Sequence, residues 1–183
     1  GEDMARIVVL GAGIGGMSAA YELRGTLGQG PEITVIGEGD RFSFTPSNPW
    51  VAVRWREPDA IRVHLPPVMQ RKGIGFTAVG AKRVHPTDNR IELNDGSSVD
   101  YDYLVIATGS KTNFFNLNEE AISKMKQLKS IPQALDMRSY ILENFEEALL
   151  SANEEKRQEL MNIAIVGGGP TGVELAGALA EMK

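Results

Sequence analysis

The feature that most constrains this chain is a spacing it uses twice. Gly11-Ala12-Gly13-Ile14-Gly15-Gly16 and Gly167-Gly168-Gly169-Pro170-Thr171-Gly172 both fit Gly-x-Gly-x-x-Gly. Each follows a short apolar run, Ile7-Val8-Val9-Leu10 before the first and Ile163-Ala164-Ile165-Val166 before the second. A shift of 156 residues lays Ile7 on Ile163, Gly11 on Gly167, Gly13 on Gly169 and Gly16 on Gly172. The match continues with Ala20 on Ala176 and Leu23 on Leu179. Two strand–glycine-loop–helix units therefore recur in one short chain.

The spacing has a physical meaning. The first glycine makes a tight turn, the second lets a pyrophosphate approach the backbone, and the third lets helix and strand pack closely. The helix that follows points unbonded N–H groups and a partial positive charge at the phosphates. In the first unit, helix formers run from Met17 to Arg24, and Gly25, Gly28, Gly30 and Pro31 break the chain. Ile33-Thr34-Val35-Ile36 is a second β-branched run, so residues 6–36 read as one βαβ unit. Glu38 lies 22 residues after Gly16, where an acid accepts hydrogen bonds from ribose hydroxyls. Asp40 is its substitute. A glycine-rich structural turn beside a solvated acid would show the same letters, but the strand, helix and acid in this order favour a dinucleotide site. After Gly172 only 11 residues remain, so neither a second strand nor an acid of that unit follows in this chain. The second loop is expected to serve a dinucleotide in a longer parent chain, its own domain being incomplete here.

Between the repeats, residues 41–70 carry Pro46, Pro49, Pro58, Pro66 and Pro67 and both tryptophans, Trp50 and Trp55. They read as a long ordered loop with one short helix near 66–72. The aromatic and proline-rich Ser43–Val53 stretch suits the wall of a flat ring, or equally a loop packed by its own aromatics. From 74 to 101, short β-like runs alternate with turns at Pro86-Thr87-Asp88-Asn89 and Asn94-Asp95-Gly96. Tyr103–Ala107 is another apolar strand, and Thr108-Gly109 at its end suits close passage of backbone past a ligand. Residues 110–129 are polar and carry no clear period. Ser130-Ile131-Pro132-Gln133 matches a capping box. Leu135, Tyr140, Ile141, Phe145, Ala148 and Leu149 form the apolar stripe behind it. Ser151–Glu154 caps a second, charged helix, Asn162–Val166 reads as a strand, and Gly172–Lys183 as a helix.

Composition excludes several chemistries. The chain has 183 residues, 42% hydrophobic and 23% charged, enough for a core and ordinary for a folded protein. With no cysteine it has no disulfide, thiolate metal site or cysteine nucleophile. His64 and His85 are its only histidines, one expected in the core and one exposed, and neither is assigned a catalytic role or a metal. A net charge of −5 argues against nucleic acid. Glu143, Glu146, Glu147, Glu154 and Glu155 read as a solvated helix face. No run of 18 apolar residues and no secretory leader are present, so a cytoplasmic chain is expected. Gly1-Glu2-Asp3 before Met4 reads as a cloning remnant.

The two glycine loops, Glu38, and the strand Tyr101-Asp102-Tyr103-Leu104-Val105-Ile106-Ala107-Thr108-Gly109 together resemble the two-dinucleotide-fold flavoproteins of the pyridine nucleotide-disulfide oxidoreductase type. The resemblance spans nearly all of residues 5–183. Residues 5–112 resemble sulfide:quinone oxidoreductase, through Phe42-Ser43-Phe44-Thr45-Pro46-Ser47-Asn48-Pro49-Trp50 and Arg71-Lys72-Gly73-Ile74. Residues 113–183 resemble type II NADH dehydrogenase, through Lys129-Ser130-Ile131-Pro132 and Val166–Glu174. The implied fold is α/β. A Rossmann-like FAD-binding domain over 4–112, with a parallel sheet and a β-meander, is followed by a connecting helical segment over 113–160. The start of a second Rossmann-like NAD(P)H-binding unit occupies 161–183.

The resemblance also implies chemistry. The first loop would bind FAD and the second NADH or NADPH, which would pass hydride to the flavin. Gly11, Gly13, Gly16 and Glu38 would hold FAD, with Pro46 near the isoalloxazine ring, Ala81 beside the adenine, and Thr108 and Gly109 along the flavin diphosphate. Gly167, Gly169 and Gly172 would hold the nicotinamide nucleotide, and Glu174 would point toward the nicotinamide–flavin contact. A quinone would accept the electrons. The resemblance also implies a parent enzyme that would sit peripherally on the cytoplasmic face of the inner membrane, with a homodimer as its expected assembly. Sulfide:quinone oxidoreductases use cysteines, one of them near the position of Pro132, and this chain has none. NADH is therefore the leading donor. Sulfide is the alternative, and a nucleotide-binding fragment without turnover is the third reading.

Overall fold

The structure, a computed structural model, describes residues 4–182. Gly1–Asp3, with their reading as a cloning remnant, and Lys183 lie outside the described residues. The chain divides into two compact units. Residues Gly1–Ser43 and Arg62–Asn113 form the first, and Phe44–Ile61 and Phe114–Lys183 the second.

In the first unit, β1 (Arg6–Leu10), α1 (Ile14–Leu27) and β2 (Glu32–Ile36) realise the βαβ unit. β1 and β2 pair in parallel, Ile7 opposite Ile33 and Leu10 opposite Ile36. β3 (Arg41–Ser43) leads out of this unit, and α2 (Asn48–Ala52) belongs to the other. The chain returns through β4 (Arg62–His64), which pairs antiparallel with β3. Next come α3 (Leu65–Arg71), β5 (Gly75–Thr77), β6 (Ala81–His85), β7 (Arg90–Leu93), β8 (Ser98–Asp100) and β9 (Tyr103–Ile106). The parallel sheet has the order β5-β2-β1-β9, and β6-β7-β8 is an antiparallel meander. The expected α/β architecture, with its Rossmann-like sheet and meander, is what the chain adopts.

Alternation along β1 explains why Ile7–Leu10 is apolar throughout. Ile7 and Val9 point to one face, where Met17, Ala20, Ile33, Val35, Leu65, Met69 and Ile74 complete a core against the helices. Val8 and Leu10 point to the other, against Ile36, Ile91, Leu93 and Tyr101. A strand covered on both faces has no solvent side on which to place polar residues. Arg24 of α1 is also buried, and it is held by the carbonyls of Gly28, Pro31 (3.1 Å) and Gly73 (2.8 Å).

The second unit is helical. Two 3-10 turns, Thr45–Ser47 and Pro58–Ile61, flank α2. α4 (Glu119–Lys124), α5 (Ile131–Leu150), α6 (Glu154–Met161) and α7 (Pro170–Met182) follow. The core joins Val51, Ala52, Val53 and Ile61 to Ile131, Ala134, Met137 and Ile141 of α5 and to Leu175, Ala178 and Leu179 of α7.

Several expectations are corrected here. Residues 41–70 are not a continuous loop but carry two strands, two 3-10 turns and two helices. The apolar stripe of α5 is Ile131, Ala134, Met137, Ile141 and Ala148, whose spacing of three, four or seven residues keeps one face inward. Tyr140 and Leu149 lie off that stripe and are exposed. Residues 162–166 form no strand. A strand is stabilised by pairing, and the second unit contains no other strand among the described residues. His64 is not in the core: its ring, half exposed, pairs with Asp40 at 3.0 Å. His85 is the better covered of the two and faces Glu92 at 3.5 Å.

Candidate functional site

The carboxyl ends of β1, β2 and β9 lie side by side, because all three strands run parallel in adjacent positions. The chain leaves β1 toward β2 on one side and finds β9 on the other, so the first glycine loop stands where the strand order reverses. Ligands of open α/β sheets bind at such a point.

Gly11 is required twice over. Its φ is +114°, a region that favours glycine. A Cβ there would also overlap the Ala107 carbonyl, which follows β9. Gly16 is required by packing, since a Cβ would run into the Gly11 carbonyl. Gly13 is different. Its φ of −82° suits any residue, and a Cβ would meet nothing within 4 Å. The fold makes no demand for glycine at this position, while a pyrophosphate approaching the backbone does. The loop thus fits a dinucleotide on the strength of its own geometry.

The remaining residues of the first site gather around that loop. Glu38 leaves the end of β2, is exposed, and makes an isolated antiparallel bridge to Val79. Asp40 is instead engaged with His64. The Gly80 N–H donates to the Gly37 carbonyl at 2.9 Å, bringing Ala81 at the start of β6 next to Glu38. Gly80 has φ +78°, and a Cβ on it would press on the Asn94 amide. Thr108 and Gly109 follow the Ala107 carbonyl that abuts Gly11, and both are exposed.

The second loop repeats part of this geometry within its own unit, although a Cβ on Gly167 would meet nothing where one on Gly11 meets the Ala107 carbonyl. Gly167 has φ +119°, matching Gly11. A Cβ on Gly172 would strike the Gly167 carbonyl, and one on Gly169 would meet nothing. The Val173 N–H donates to the Gly169 carbonyl at 3.1 Å, as the Met17 N–H does to Gly13 at 2.9 Å. Beside this loop a cleft of about 360 Å³ is lined by Thr45, Pro46, Leu128, Lys129, Pro170, Thr171 and Glu174. Pro46 and Glu174, far apart in sequence, share it. Thr45, Lys129 and Thr171 have no role in the sequence reading, although the position of Lys129 before the capping box was a usable signal.

Electrostatics brace the sheet rather than the loops. The Arg6 guanidinium and backbone N–H both donate to Asp102, the backbone contact at 2.7 Å, and hold its carboxyl below the usual carboxylate range. In the meander Lys82 donates to Glu92 at 2.8 Å, lowering the Glu92 pKa and raising its own.

The sequence profile of the family described as pyridine nucleotide-disulphide oxidoreductase matches residues 5–183. The sulfide-quinone reductase of Aquifex aeolicus (strain VF5) is 39% identical over 108 residues, which cover 59% of this chain and 25% of that protein. The mitochondrial external alternative NAD(P)H-ubiquinone oxidoreductase B3 of Arabidopsis thaliana is 31% identical over 189 residues, 96% of this chain and 32% of its own length. The solved structure of NDH2 from Plasmodium falciparum in complex with NADH aligns with TM-score 0.79 and 28% identity, over 97% of this chain and 37% of that one. The chain spans between about a quarter and two-fifths of the length of these proteins. No helix among the described residues is long and apolar enough to cross a membrane.

Proposed function

The chain belongs to the pyridine nucleotide-disulphide oxidoreductase family, and from that premise we propose that it is the N-terminal, nucleotide-binding part of an FAD-dependent oxidoreductase that passes electrons from NADH to a quinone. The observation that carries this reading is the pair of glycine loops, each opening on a glycine at positive φ and each with a middle glycine, Gly13 or Gly169, that the packing of the fold does not require and a closely approaching pyrophosphate would.

Each residue then has a task. Gly13 leaves room for the FAD pyrophosphate, and the first-turn N–H groups of α1 donate to it. The Glu38 carboxylate accepts from ribose hydroxyls. Backbone groups at Gly80 and Ala81 meet the adenine edge, and Thr108 and Gly109 let the diphosphate pass close to the main chain. FAD, when bound, supplies the two-electron chemistry. In the second unit, Gly167, Gly169 and Gly172 seat the nicotinamide nucleotide's phosphates. The adjoining cleft, lined by Pro46, Lys129 and Glu174, would take its reactive end, with Lys129 as a counter-charge.

The test is a mixture of the chain with FAD, NADH and a soluble quinone. NADH bleaches the flavin absorbance and the quinone restores it. Flavin that stays oxidised in excess NADH overturns the donor assignment.

One observation favours sulfide as the donor, namely 39% identity to a sulfide-quinone reductase. In that version the thiols that accept sulfur lie outside this cysteine-free chain. Bleaching by sulfide and not by NADH is its signature. A chain that takes up FAD but is reduced by neither donor is a binding fragment.

A further inference from the structure

The turn between β7 and β8 does not need the side chain that opens it. The Asp95 carboxylate accepts from the Ser97 N–H at 2.9 Å, and the Leu93 N–H donates to the Ser97 carbonyl at 2.8 Å. Gly96 supplies the positive φ, +83°. The Asn94 amide is used elsewhere. Its Nδ2 donates to the Val79 carbonyl at 3.1 Å, 15 residues back in the chain. That carbonyl belongs to the Val79–Gly80 peptide, whose N–H donates to the Gly37 carbonyl at 2.9 Å. In a trans peptide the two groups point opposite ways, so this one unit is held between the end of β2 and the meander turn. The Gly39 N–H donates to the Ala78 carbonyl at 2.8 Å, so Glu38 lies between two residues tied to the same segment. Gly80 is buried, and the open side of its α-carbon is where two side chains converge. A Cβ there would stand 2.8 Å from Asn94 Nδ2 and 3.5 Å from Glu38 Cγ.

We propose that Asn94 is a positioning residue for the adenosine end of FAD, fixing the backbone at Val79–Ala81 and, through it, the seat of the Glu38 carboxylate. The proposal rests on the reading of the first glycine loop as the FAD site. Asn94 acts through Gly80 and Glu38, which that reading sets against adenine and ribose. An amide suits the task because it donates a hydrogen bond and carries no charge. A carboxylate at position 94 would have no proton to give the Val79 carbonyl and would repel Glu38. Asn94 is exposed, so its side chain can be removed without opening the core.

The experiment titrates the whole chain with FAD, and separately with an FAD analogue whose adenosine lacks the ribose 2′-hydroxyl, reading flavin fluorescence. The wild type binds FAD about tenfold more tightly than the analogue, the worth of one hydrogen bond to a charged group. Asn94→Ala binds FAD about fivefold more weakly than the wild type, and its preference for FAD over the analogue falls to about twofold. Asn94→Asp, of the same shape, loses the preference as well. Circular dichroism and the urea midpoint show both variants folded. Variants that bind both ligands more weakly but keep the wild-type preference overturn the proposal, since that is the mark of a merely structural side chain. Unchanged affinities in both variants overturn it too. In either case FAD uptake by the wild type leaves the first-loop reading standing. A wild type that takes up no FAD overturns that reading and the proposal with it.

Discussion

Gly13 and Gly16 lie three residues apart in one loop and answer to different constraints. A side chain at Gly16 collides with the Gly11 carbonyl, whereas one at Gly13 enters open space. Gly16→Ala is therefore expected to destabilise the chain by about 1–3 kcal/mol, as overpacking does, measured by urea unfolding. Gly13→Val is expected to cost no more than about 1 kcal/mol, through a poorer N-cap for α1, and to abolish FAD uptake. Asp102 supports a second prediction at this scale. Its pKa is lowered chiefly by the Arg6 side chain, so its contribution to stability is present above the unfolded pKa and lost as pH falls through the folded one. Asp102→Asn should lower the urea midpoint at neutral pH, and the difference from wild type should vanish in strong acid. The roles of Gly11 and Gly16 were legible in the spacing. The partner of Gly11 was not, because the Ala107 carbonyl is 96 residues away and arrives only through β1–β9 pairing.

At the scale of elements, local signals were read well and non-local ones poorly. The capping box of α5 forms as its sequence implies. The Ser130 hydroxyl accepts from the Gln133 N–H at 3.3 Å, and the Gln133 side chain accepts from the Ser130 N–H at 3.1 Å. Ser130→Ala is expected to cost about 1 kcal/mol, seen as a lower Tm. Ile141→Ala, in the buried stripe of the same helix, is expected to cost about 2–5 kcal/mol. By contrast, β3 and β4 were invisible in the proline-rich stretch, because Phe42 meets Val63 across an excursion that packs elsewhere. The run 162–166 has strand-forming residues and no strand to pair with. Propensity alone does not make a strand, since its hydrogen bonds need a neighbour.

For the molecule as a whole, the repeat of 156 residues was the most informative datum. It announced two glycine loops of one kind, and Gly11 and Gly167 do share one backbone conformation. The cleft that Pro46 and Glu174 share was implied only by the family resemblance and not by any local signal, because Phe44–Ile61 joins the second unit only by leaving the first in mid-sequence. The central claim is that the first loop holds FAD. It is tested most directly by titrating FAD into the wild-type chain and into the Gly13→Val variant, following flavin fluorescence with circular dichroism as the check on folding. Saturable one-to-one uptake by the wild type, lost in a variant that remains folded, is the predicted result. No uptake by the wild type, or uptake undiminished in the variant, would contradict it.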